Sequence, residues 1–313
     1  MNKQKILFLG PKESFELIQE ELIEYEVDYF SQVKEDIHHD NEYIAVIDAY
    51  MRIRFSGEIL KNFKKLKVFI TATTGANHIE SDFLDKKGIP LLTLKGQKEF
   101  LKNITPAAEH SWLLLQMCAR KIKPVFKEVE NFEWERNNHP GQMLNGKTLG
   151  IIGCGRIGTW MSKYSHAFGM KCLGYDPLIS KFEPTILPCE LDFLLENSDF
   201  ISLHVNYETN LEKFIGEREF SLMKKGSIFI NTSRGELIDE NALIKALETS
   251  HLGGAGVDVL RDEQNIRKNL LINNQYKFEN LIITPHIGGY SPDALSRVLI
   301  FTCKRLKKEL KTK

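Results

Sequence analysis

Residues 146 to 176 read GKTLGIIGCGRIGTWMSKYSHAFGMKCLGYD, and the order of residue types in this stretch decides the fold. Residues 148 to 152 are a short apolar run, which is typical of a buried parallel strand. The glycine loop GCGRIG, residues 153 to 158, follows at once. A helix is predicted next by apolar residues at spacings of four, three and four: Ile157, Met161, Tyr164 and Phe168. A second predicted strand, residues 170 to 175, ends on Asp176.

Each residue type in this order has a physical role in binding a dinucleotide. Gly153 permits a tight turn, Gly155 lets a pyrophosphate approach the backbone, and Gly158 lets the helix pack against the strand. The N-terminus of the helix presents N–H groups to the anion, and Asp176 accepts hydrogen bonds from the adenosine ribose. A glycine triplet alone indicates only a turn between a strand and a helix. The flanking strands and the terminal acid together predict a dinucleotide site.

The residues after Asp176 favour NAD over NADP. Residues 177 to 180 read PLIS and contain no arginine that would bind a 2′-phosphate. The carboxylate of Asp176 would also repel that phosphate. The predicted cofactor is therefore NAD.

Length and charge limit the classes of protein to which the chain can belong. Its 313 residues are enough for two domains, each with its own core. The 42 Lys and Arg residues balance 42 Asp and Glu residues, which argues against binding to nucleic acid or to an anionic membrane. No apolar stretch is long enough for a membrane span, and the residues before Gly10 do not resemble a signal peptide. Five cysteines without metal-like or disulfide-like spacing predict a cytoplasmic protein, and Cys154 is interpreted as a space-filling residue.

Strands alternate with helical segments along the whole chain, which predicts parallel sheets with helices on both faces. In the first region, the predicted strands are residues 5–9, 27–30, 43–47, 67–72 and 89–94, with a helix at 14–25. The loop 73–77, TTGAN, directly follows a strand, and the sequence supports a ligand-binding loop and a simple turn equally.

The second region has a helix of about fifteen residues, with Thr105 as N-cap and Pro106 at the first helical position. Beyond Asp176 the predicted strands are 200–204, 227–231, 255–259 and 281–284. The predicted helices are 190–197 and 241–249, and residues 221–225 are predicted to be the end of a third helix. The polar residues 262–279 are predicted to form a loop.

Titratable residues follow several of these strands, at the sheet edge where α/β proteins bind ligands. His204 alone is more typical of a structural residue. Arg234 and His286 are each followed closely by glycine, which allows close approach of a ligand. Reduction of a 2-oxo acid requires a cation for the carboxylate, best supplied by arginine, and a proton donor such as histidine. Glu263, five positions after Asp258, is the candidate carboxylate that orients this histidine.

With these motifs in view, the chain resembles the D-isomer-specific 2-hydroxyacid dehydrogenases. The resemblance covers nearly the whole chain and is densest from residue 146 to residue 289. It is carried by the motifs GKTLGIIGCGRIG, GYDP, FINTSRGELIDENAL, GVDV and TPHIGG. One departure is Gln264, where the family often has proline after the acid at position 263.

The resemblance implies roles for residues at matching positions. Arg234 would bind the substrate carboxylate, His286 would be the acid/base, and Glu263 would pair with His286. The implied substrate contacts are Thr74, Gly75, Ala76, Arg234 and His286. Apart from the resemblance, Met51, Arg52, Arg54 and Tyr290 are candidates to contact the side chain of the substrate, although exposed arginines are usually only solvated. The implied cofactor contacts are Gly153, Gly155, Arg156, Ile157, Gly158, Asp176, His204, Thr232, Ser233, Arg234, Asp258, His286, Gly288 and Gly289. No metal site is expected.

The resemblance also implies an α/β architecture in which a doubly wound Rossmann NAD-binding domain, residues 103–286, is inserted into a smaller flavodoxin-like α/β substrate domain, residues 1–102 and 287–313. The active site would lie between the two domains, and a homodimer would form through the cofactor domain. The predicted activity is NAD-dependent interconversion of a small 2-oxo acid and its D-2-hydroxy acid. A different hypothesis is an NAD(H)-sensing regulatory protein built on the same scaffold, because fold alone does not determine function.

Overall fold

The computed structural model describes residues 3–30, 42–51 and 53–312. Every strand pairing in these ranges is parallel. In chain order the strands are β1 (Lys5–Leu9), β2 (Glu26–Phe30), β3 (Tyr43–Asp48), β4 (Val68–Thr71), β5 (Leu91–Leu92), β6 (Thr148–Ile152), β7 (Lys171–Tyr175), β8 (Leu187–Pro188), β9 (Phe200–Leu203), β10 (Ser227–Asn231), β11 (Leu252–Val257) and β12 (Leu281–Ile283).

Helices connect most of these strands. They are α1 (Phe15–Glu21), α2 (Gly57–Leu60), α3 (Ser81–Lys86), α4 (Lys98–Leu101), α5 (Pro106–Ala119), α6 (Ile122–Glu130), α7 (Arg156–Ala167), α8 (Leu191–Asn197), α9 (Glu217–Leu222), α10 (Glu240–Glu248), α11 (Leu270–Asn274) and α12 (Pro292–Lys311). No helix in the described ranges is long and apolar enough to cross a bilayer.

The chain divides into two compact units, Met1–Ile104 with Ser291–Lys313, and Thr105–Tyr290. The sequence places these boundaries at 102/103 and 286/287. The first unit has a five-stranded sheet in the order β2-β1-β3-β4-β5, which is the flavodoxin-like order. Successive side chains along its strands point alternately into two apolar cores, one on each face of the sheet. In β4, for example, Val68 and Ile70 enter one core and Phe69 enters the other.

The second unit has a seven-stranded sheet in the order β12-β11-β10-β9-β6-β7-β8. Counted from β6, this is the doubly wound order of a Rossmann fold, with one additional strand at the β12 edge. Strand β10 is buried at all five positions, with Ile228 and Ile230 in one core and Phe229 in the other. The strand order reverses beside β6, so the glycine loop that follows β6 lies at the switch point where such sheets bind ligands.

Two sequence predictions in the second unit are corrected by the structure. The predicted loop at 262–279 contains 3₁₀ turns at Glu263–Lys268 and Gln275–Lys277 and the helix α11, because Asn269 caps α11 and Leu271 is fully buried. Thr105 precedes α5, but its hydroxyl donates to the carboxylate of Glu109 and does not cap the helix. No element was predicted for the residues of helix α6, so this helix was missed.

Candidate active site

The three glycines of the loop after β6 are required for three different reasons. Gly153 has a left-handed φ of 90°, and a Cβ there would lie 2.6 Å from the carbonyl oxygen of His204. A Cβ on Gly158 would lie 2.4 Å from the carbonyl oxygen of Gly153, so any side chain would push α7 away from β6. A Cβ on Gly155 would meet open space. The backbone at Gly155 is therefore accessible to a ligand, as a pyrophosphate site requires.

Helix α7 begins directly after this open position. Gly155 is its N-cap residue, and no side chain in the described ranges caps the helix there. Arg156 occupies the first turn, half-buried, and burial lowers the pKa of its guanidinium, a group that stays protonated at neutral pH. The next residue, Ile157, packs against the apolar core beneath the sheet. A helix N-terminus with an adjacent cation is suited to an anion.

Asp176 is tied to the glycine loop by its side chain. One carboxylate oxygen, Oδ2, accepts the N–H of Cys154 at 3.0 Å, and Oδ1 accepts the N–H of Leu178 at 3.0 Å. These bonds fix the carboxylate at the end of β7, and each oxygen keeps a second lone pair for a ligand hydroxyl. Burial raises the pKa of the Cys154 thiol to about 12, which fits the predicted space-filling role. The open glycine backbone, the helix N-terminus and the fixed carboxylate together fit NAD.

His286 and Glu263 form the central pair of the site. Nδ1 of His286 lies 2.8 Å from Oε2 of Glu263, and Oε1 of Glu263 accepts the N–H of Leu260 at 3.1 Å. His286 has a left-handed φ of 54°, and its own N–H donates to the carbonyl oxygen of Asp258. The imidazole uses Nδ1 for the carboxylate, so Nε2 is the nitrogen through which it can exchange a proton with a ligand.

Arg234 lies in the turn that follows β10, and Asn231 shapes that turn. Asn231 accepts the N–H of Ser233 at 3.0 Å and donates to the carbonyl oxygen of Arg234 at 3.0 Å. Burial lowers the pKa of the Arg234 guanidinium, while the charges of Glu263 and Glu236 act in the opposite direction. The guanidinium therefore interacts electrostatically with the carboxylate of the histidine pair. The guanidinium itself donates from Nη1 to the carbonyl oxygen of Ser233 at 2.7 Å.

Gly235, which follows Arg234, packs directly against the backbone that leads to Glu263. A Cβ on Gly235 would lie 2.0 Å from the carbonyl carbon of Leu260 and 2.3 Å from the nitrogen of Arg261. No other residue type fits this approach without moving one of the two segments. The contact keeps the turn of Arg234 next to the segment of Glu263.

Asp258 is the centre of a hydrogen-bond network at the end of β11. Its Oδ1 accepts from the hydroxyl of Thr284 at 2.6 Å and from the N–H of Ile287 at 2.9 Å, and its Oδ2 accepts from the N–H of Gly288 at 2.7 Å. Nε2 of His110 lies 3.3 Å from Oδ1. Burial raises the pKa of Asp258, but the hydrogen bonds outweigh it and the net shift is downward. Asp258 therefore orders the backbone on both sides of His286.

The remaining strand-end residues bond mainly within the fold. The hydroxyl of Thr232 lies 2.7 Å from that of Ser111, and the hydroxyl of Ser233 donates to the carbonyl oxygen of Leu203 at 2.7 Å. Nε2 of His204 lies 2.8 Å from the hydroxyl of Ser202, and burial lowers the pKa of this imidazole to about 3. A Cβ on Gly289, in contrast, would meet open space.

Comparison with known proteins decides the family. The sequence profile described as "D-isomer specific 2-hydroxyacid dehydrogenase, NAD binding domain" matches residues 112–288. The chain belongs to the D-isomer-specific 2-hydroxyacid dehydrogenases. It is 35% identical to the glyoxylate reductase of Thermococcus litoralis over 85% of this chain and 81% of that protein. It is 32% identical to the hydroxypyruvate reductase of Thermotoga maritima over 99% and 96%. A crystal structure of Aquifex aeolicus D-lactate dehydrogenase with NAD and lactic acid has a TM-score of 0.82 and 30% identity, covering 98% and 96%.

Family membership makes the chain an NAD-dependent dehydrogenase with a Rossmann-type cofactor domain. NAD supplies or accepts a hydride when it is bound. Gly153, Gly155, Gly158 and Asp176 have the geometry that the cofactor needs. The protein contributes the orientation of the reacting groups and the movement of the proton.

The loop 73–77 of the first unit is shaped by threonine hydroxyls. Thr73 donates to the carbonyl oxygen of Gly75 at 2.6 Å, and its hydroxyl lies 2.8 Å from that of Thr71. Thr74 is exposed, and Ala76 packs against the apolar core of that unit. These contacts order the loop directly after β4, where parallel sheets present ligand-binding segments. Arg52, named with Met51 and Arg54 as a substrate contact, lies outside the described residues.

Sequence reasoning missed two residues that support the site from α5. Nε2 of His110 lies 2.9 Å from the hydroxyl of Thr284, in addition to its contact with Asp258. The hydroxyl of Ser111 contacts Thr232. The signal was the pair His110-Ser111 in an otherwise apolar stretch of helix. A polar pair of this kind indicates a buried polar partner, because a buried polar group requires a hydrogen bond.

Proposed function

We propose that the protein is an NAD-dependent reductase of small 2-oxo acids that forms D-2-hydroxy acids, and that catalyses the reverse oxidation as well. The observation that carries the proposal is the contact of 2.8 Å between Nδ1 of His286 and Oε2 of Glu263, with the guanidinium of Arg234 in electrostatic range of that carboxylate. The relatives described above are named for glyoxylate, hydroxypyruvate and lactate, which are all small 2-oxo or 2-hydroxy acids.

In this proposal Arg234 anchors the substrate carboxylate through its planar guanidinium, which can form two parallel hydrogen bonds with a carboxylate. The carbonyl carbon then faces the nicotinamide, and it receives the hydride in the reductive direction. His286 donates a proton from Nε2 to the carbonyl oxygen, so the product is a neutral hydroxyl and the imidazole is left neutral. In the oxidative direction the same nitrogen accepts the hydroxyl proton.

Glu263 keeps the imidazole in the tautomer and orientation that this proton transfer requires. Its carboxylate accepts from Nδ1, which directs the transferable proton to Nε2. Thr232, Ser233, Asp258, Gly288 and Gly289 are proposed to line the nicotinamide end of the cofactor site, with His204. Backbone groups of Thr74, Gly75 and Ala76 are proposed to contact the substrate, and residues 1–102 with 287–313 to form the substrate domain.

The first test is NADH oxidation against a panel of 2-oxo acids, each paired with an analogue that lacks the carboxylate. Glyoxylate would be compared with glycolaldehyde, and hydroxypyruvate with dihydroxyacetone, with NADPH run in parallel. We expect turnover of at least one acid and little of its partner. Arg234→Ala should remove this preference, because the preference depends on the guanidinium. Tight NADH binding without turnover on any acid would support the sensing hypothesis instead.

We propose that the protein is a cytoplasmic homodimer formed through the second unit. Helix α6 and the segment after it expose large apolar side chains, and an apolar surface of this kind is typical of an interface. They are Phe126, Val129, Phe132, Trp134 and Met143. Light scattering should give twice the chain mass of 36.0 kDa. Trp134→Asp should reduce it to one chain, whereas Tyr276→Asp, at an equally exposed aromatic residue, should not.

A further inference from the structure

The segment 261–269 carries Glu263 and has an irregular backbone. It contains no proline, and Asp262 immediately before Glu263 has a left-handed φ of 53°. Within the 3₁₀ turns that follow, Asn265 departs from helical geometry. A segment with this backbone requires other contacts to hold the carboxylate at a fixed distance from His286.

Those contacts come from a buried glutamate on α10. Glu240 is only 5% exposed, and its Oε1 accepts the N–H of Arg261 at 3.0 Å. The side-chain amide of Asn269 donates to Oε1 at 2.8 Å and to Oε2 at 3.0 Å. Glu240 therefore binds the first and the last residue of the segment with one carboxylate.

Asn269 uses both ends of its amide, so its orientation is fixed. Its Nδ2 also donates to the carbonyl oxygen of Arg261 at 3.1 Å. Its Oδ1 accepts the N–H groups of Leu271 and Ile272 at 2.9 and 3.1 Å, which caps α11. The capped helix buries Leu271 completely. The amide group is thus the donor to Glu240, and an exchange of its oxygen and nitrogen would lose all of these bonds.

An exposed ion pair on the same segment is a weaker candidate for this role. Arg261 contacts Glu212 at 2.5 Å, but both side chains are 43% exposed. Exposed pairs contribute little to positioning because water and salt screen them. The buried bonds of Glu240 are not screened in this way.

We propose that Glu240 and Asn269 form a positioning clamp that closes the segment 261–269 against α10 and thereby holds Glu263 at hydrogen-bond distance from His286. The two are positioning residues, because neither is placed against substrate or cofactor. The catalytic consequence rests on the proposed function, whereas the effect on the His286–Glu263 contact does not. An experiment can therefore refute the clamp without refuting the proposed function, and the reverse.

The discriminating variant is Asn269→Asp. Aspartate keeps an oxygen for the cap of α11, but it replaces the donor amide by an acceptor that faces the carboxylate of Glu240. The matched control is Asn241→Asp, the same change at an exposed position on α10. The rescue variant is Glu240→Gln combined with Asn269→Asp, in which the new glutamine amide donates to the new carboxylate.

The first readout is the ¹H–¹⁵N signal of His286 Nδ1–H in protein labelled at histidine, assigned by its loss in His286→Gln. In Asn269→Asp we expect this signal to move toward its position in Glu263→Gln. It should be unchanged in the control and restored by the double variant. An unchanged signal in folded Asn269→Asp would overturn the clamp, whether or not the wild-type protein turns over a 2-oxo acid.

The second readout is kcat with NADH and the best acid of the panel. A displaced catalytic group typically costs about tenfold to a hundredfold in rate, and we expect a loss of about tenfold in Asn269→Asp. The KM for NADH should be unchanged, since the glycine loop is intact. In the Glu263→Gln background, Asn269→Asp should cause no further loss, because the clamp acts only through Glu263. A full additional loss in that background would overturn the proposal.

Discussion

Each unit of the protein contains a histidine paired with a carboxylate, and the two pairs differ in burial. In the second unit, His286 and Glu263 are 2.8 Å apart with side chains 32% and 40% exposed. In the first unit, His78 and Asp48 are 2.6 Å apart with side chains 7% and 0% exposed. The same chemical pair is accessible at His286 and enclosed at His78. Pairing alone therefore does not identify an acid/base residue.

The second carboxylate oxygen of Asp48 and the second ring nitrogen of each histidine also differ in their surroundings between the two pairs. Oδ1 of Asp48 accepts the N–H groups of Tyr50 and Met51 at 3.0 and 3.3 Å, which fixes the backbone after β3. Nδ1 of His78 is buried and has no hydrogen-bond partner among the described residues. His286, in contrast, keeps Nε2 for a ligand. We infer that the enclosed pair stabilises the first unit and that the accessible pair performs chemistry.

The largest expected effect is that of His286→Gln on turnover. Loss of a general acid typically lowers the rate by about a hundredfold to ten-thousandfold, and we expect kcat to fall within that range. NADH affinity, measured by fluorescence titration, should change little because the glycine loop is unaffected. The control is His166→Gln, at an exposed histidine on α7. Wild-type turnover in His286→Gln would refute its assignment as the acid/base.

Asp48→Asn tests the enclosed pair, and its effect should appear in stability. The new amide places a donor where His78 Nε2 now meets an oxygen. Whichever tautomer the imidazole adopts, one buried N–H then lacks an acceptor, which typically costs about 1–3 kcal/mol. We expect the free energy of unfolding to fall by about 2 kcal/mol in urea denaturation. Asp85→Asn, at an exposed position on α3, is the control and should have no measurable effect.

Glu263→Gln is the same acid-to-amide change in the accessible pair. Glutamine still accepts from Nδ1 but no longer carries the charge that stabilises an imidazolium. We expect kcat to fall about tenfold, equivalent to about 1.4 kcal/mol, with little change in the free energy of unfolding. Glu279→Gln, at an exposed glutamate, is the control. A loss of stability comparable to that of Asp48→Asn would mean that the two pairs do not differ in role.

The parallel sheets were predictable because their signals are local. Strands such as β10 are short apolar runs buried on both faces, and the glycine loop has a fixed order of residue types. The prediction of a loop at 262–279 was wrong because helix α11 depends on one cap, Asn269, and one buried side chain, Leu271. Both lie within an otherwise polar sequence. Helix α6 was missed because its nine residues, which include Pro124, are too few to show a helical period of apolar residues.

The candidate site was predictable only where residues follow strands directly. Arg234, Asp258 and His286 are at strand ends, and the sheet topology brings such ends together. His110 contacts Thr284 across 174 residues of sequence, and Asn269 contacts Glu240 across 29. Nothing in the local pattern indicates partners at such separations. The supporting residues of the site therefore required the structure.

A third histidine extends the comparison to a buried imidazole without a carboxylate. Nε2 of His204 lies 2.8 Å from the hydroxyl of Ser202, and Nδ1 is buried with no hydrogen-bond partner among the described residues. Burial lowers its pKa from 6.5 to about 3, so the folded protein holds this imidazole neutral. The three sites thus span an accessible pair, an enclosed pair and an enclosed single imidazole.

The smallest expected effect is the contribution of His204 to the pH dependence of stability. Between its folded pKa of about 3 and its unfolded pKa of 6.5, the unfolded state binds more protons at this residue, so stability is lost as pH falls below 6.5. From about pH 8 to pH 6 the loss should be about 0.8 kcal/mol. His204→Gln should reduce the slope of unfolding free energy against pH in that range. An unchanged slope in folded His204→Gln would mean that this imidazole binds as many protons in the native state as in the unfolded state, and would contradict the pKa lowered by burial.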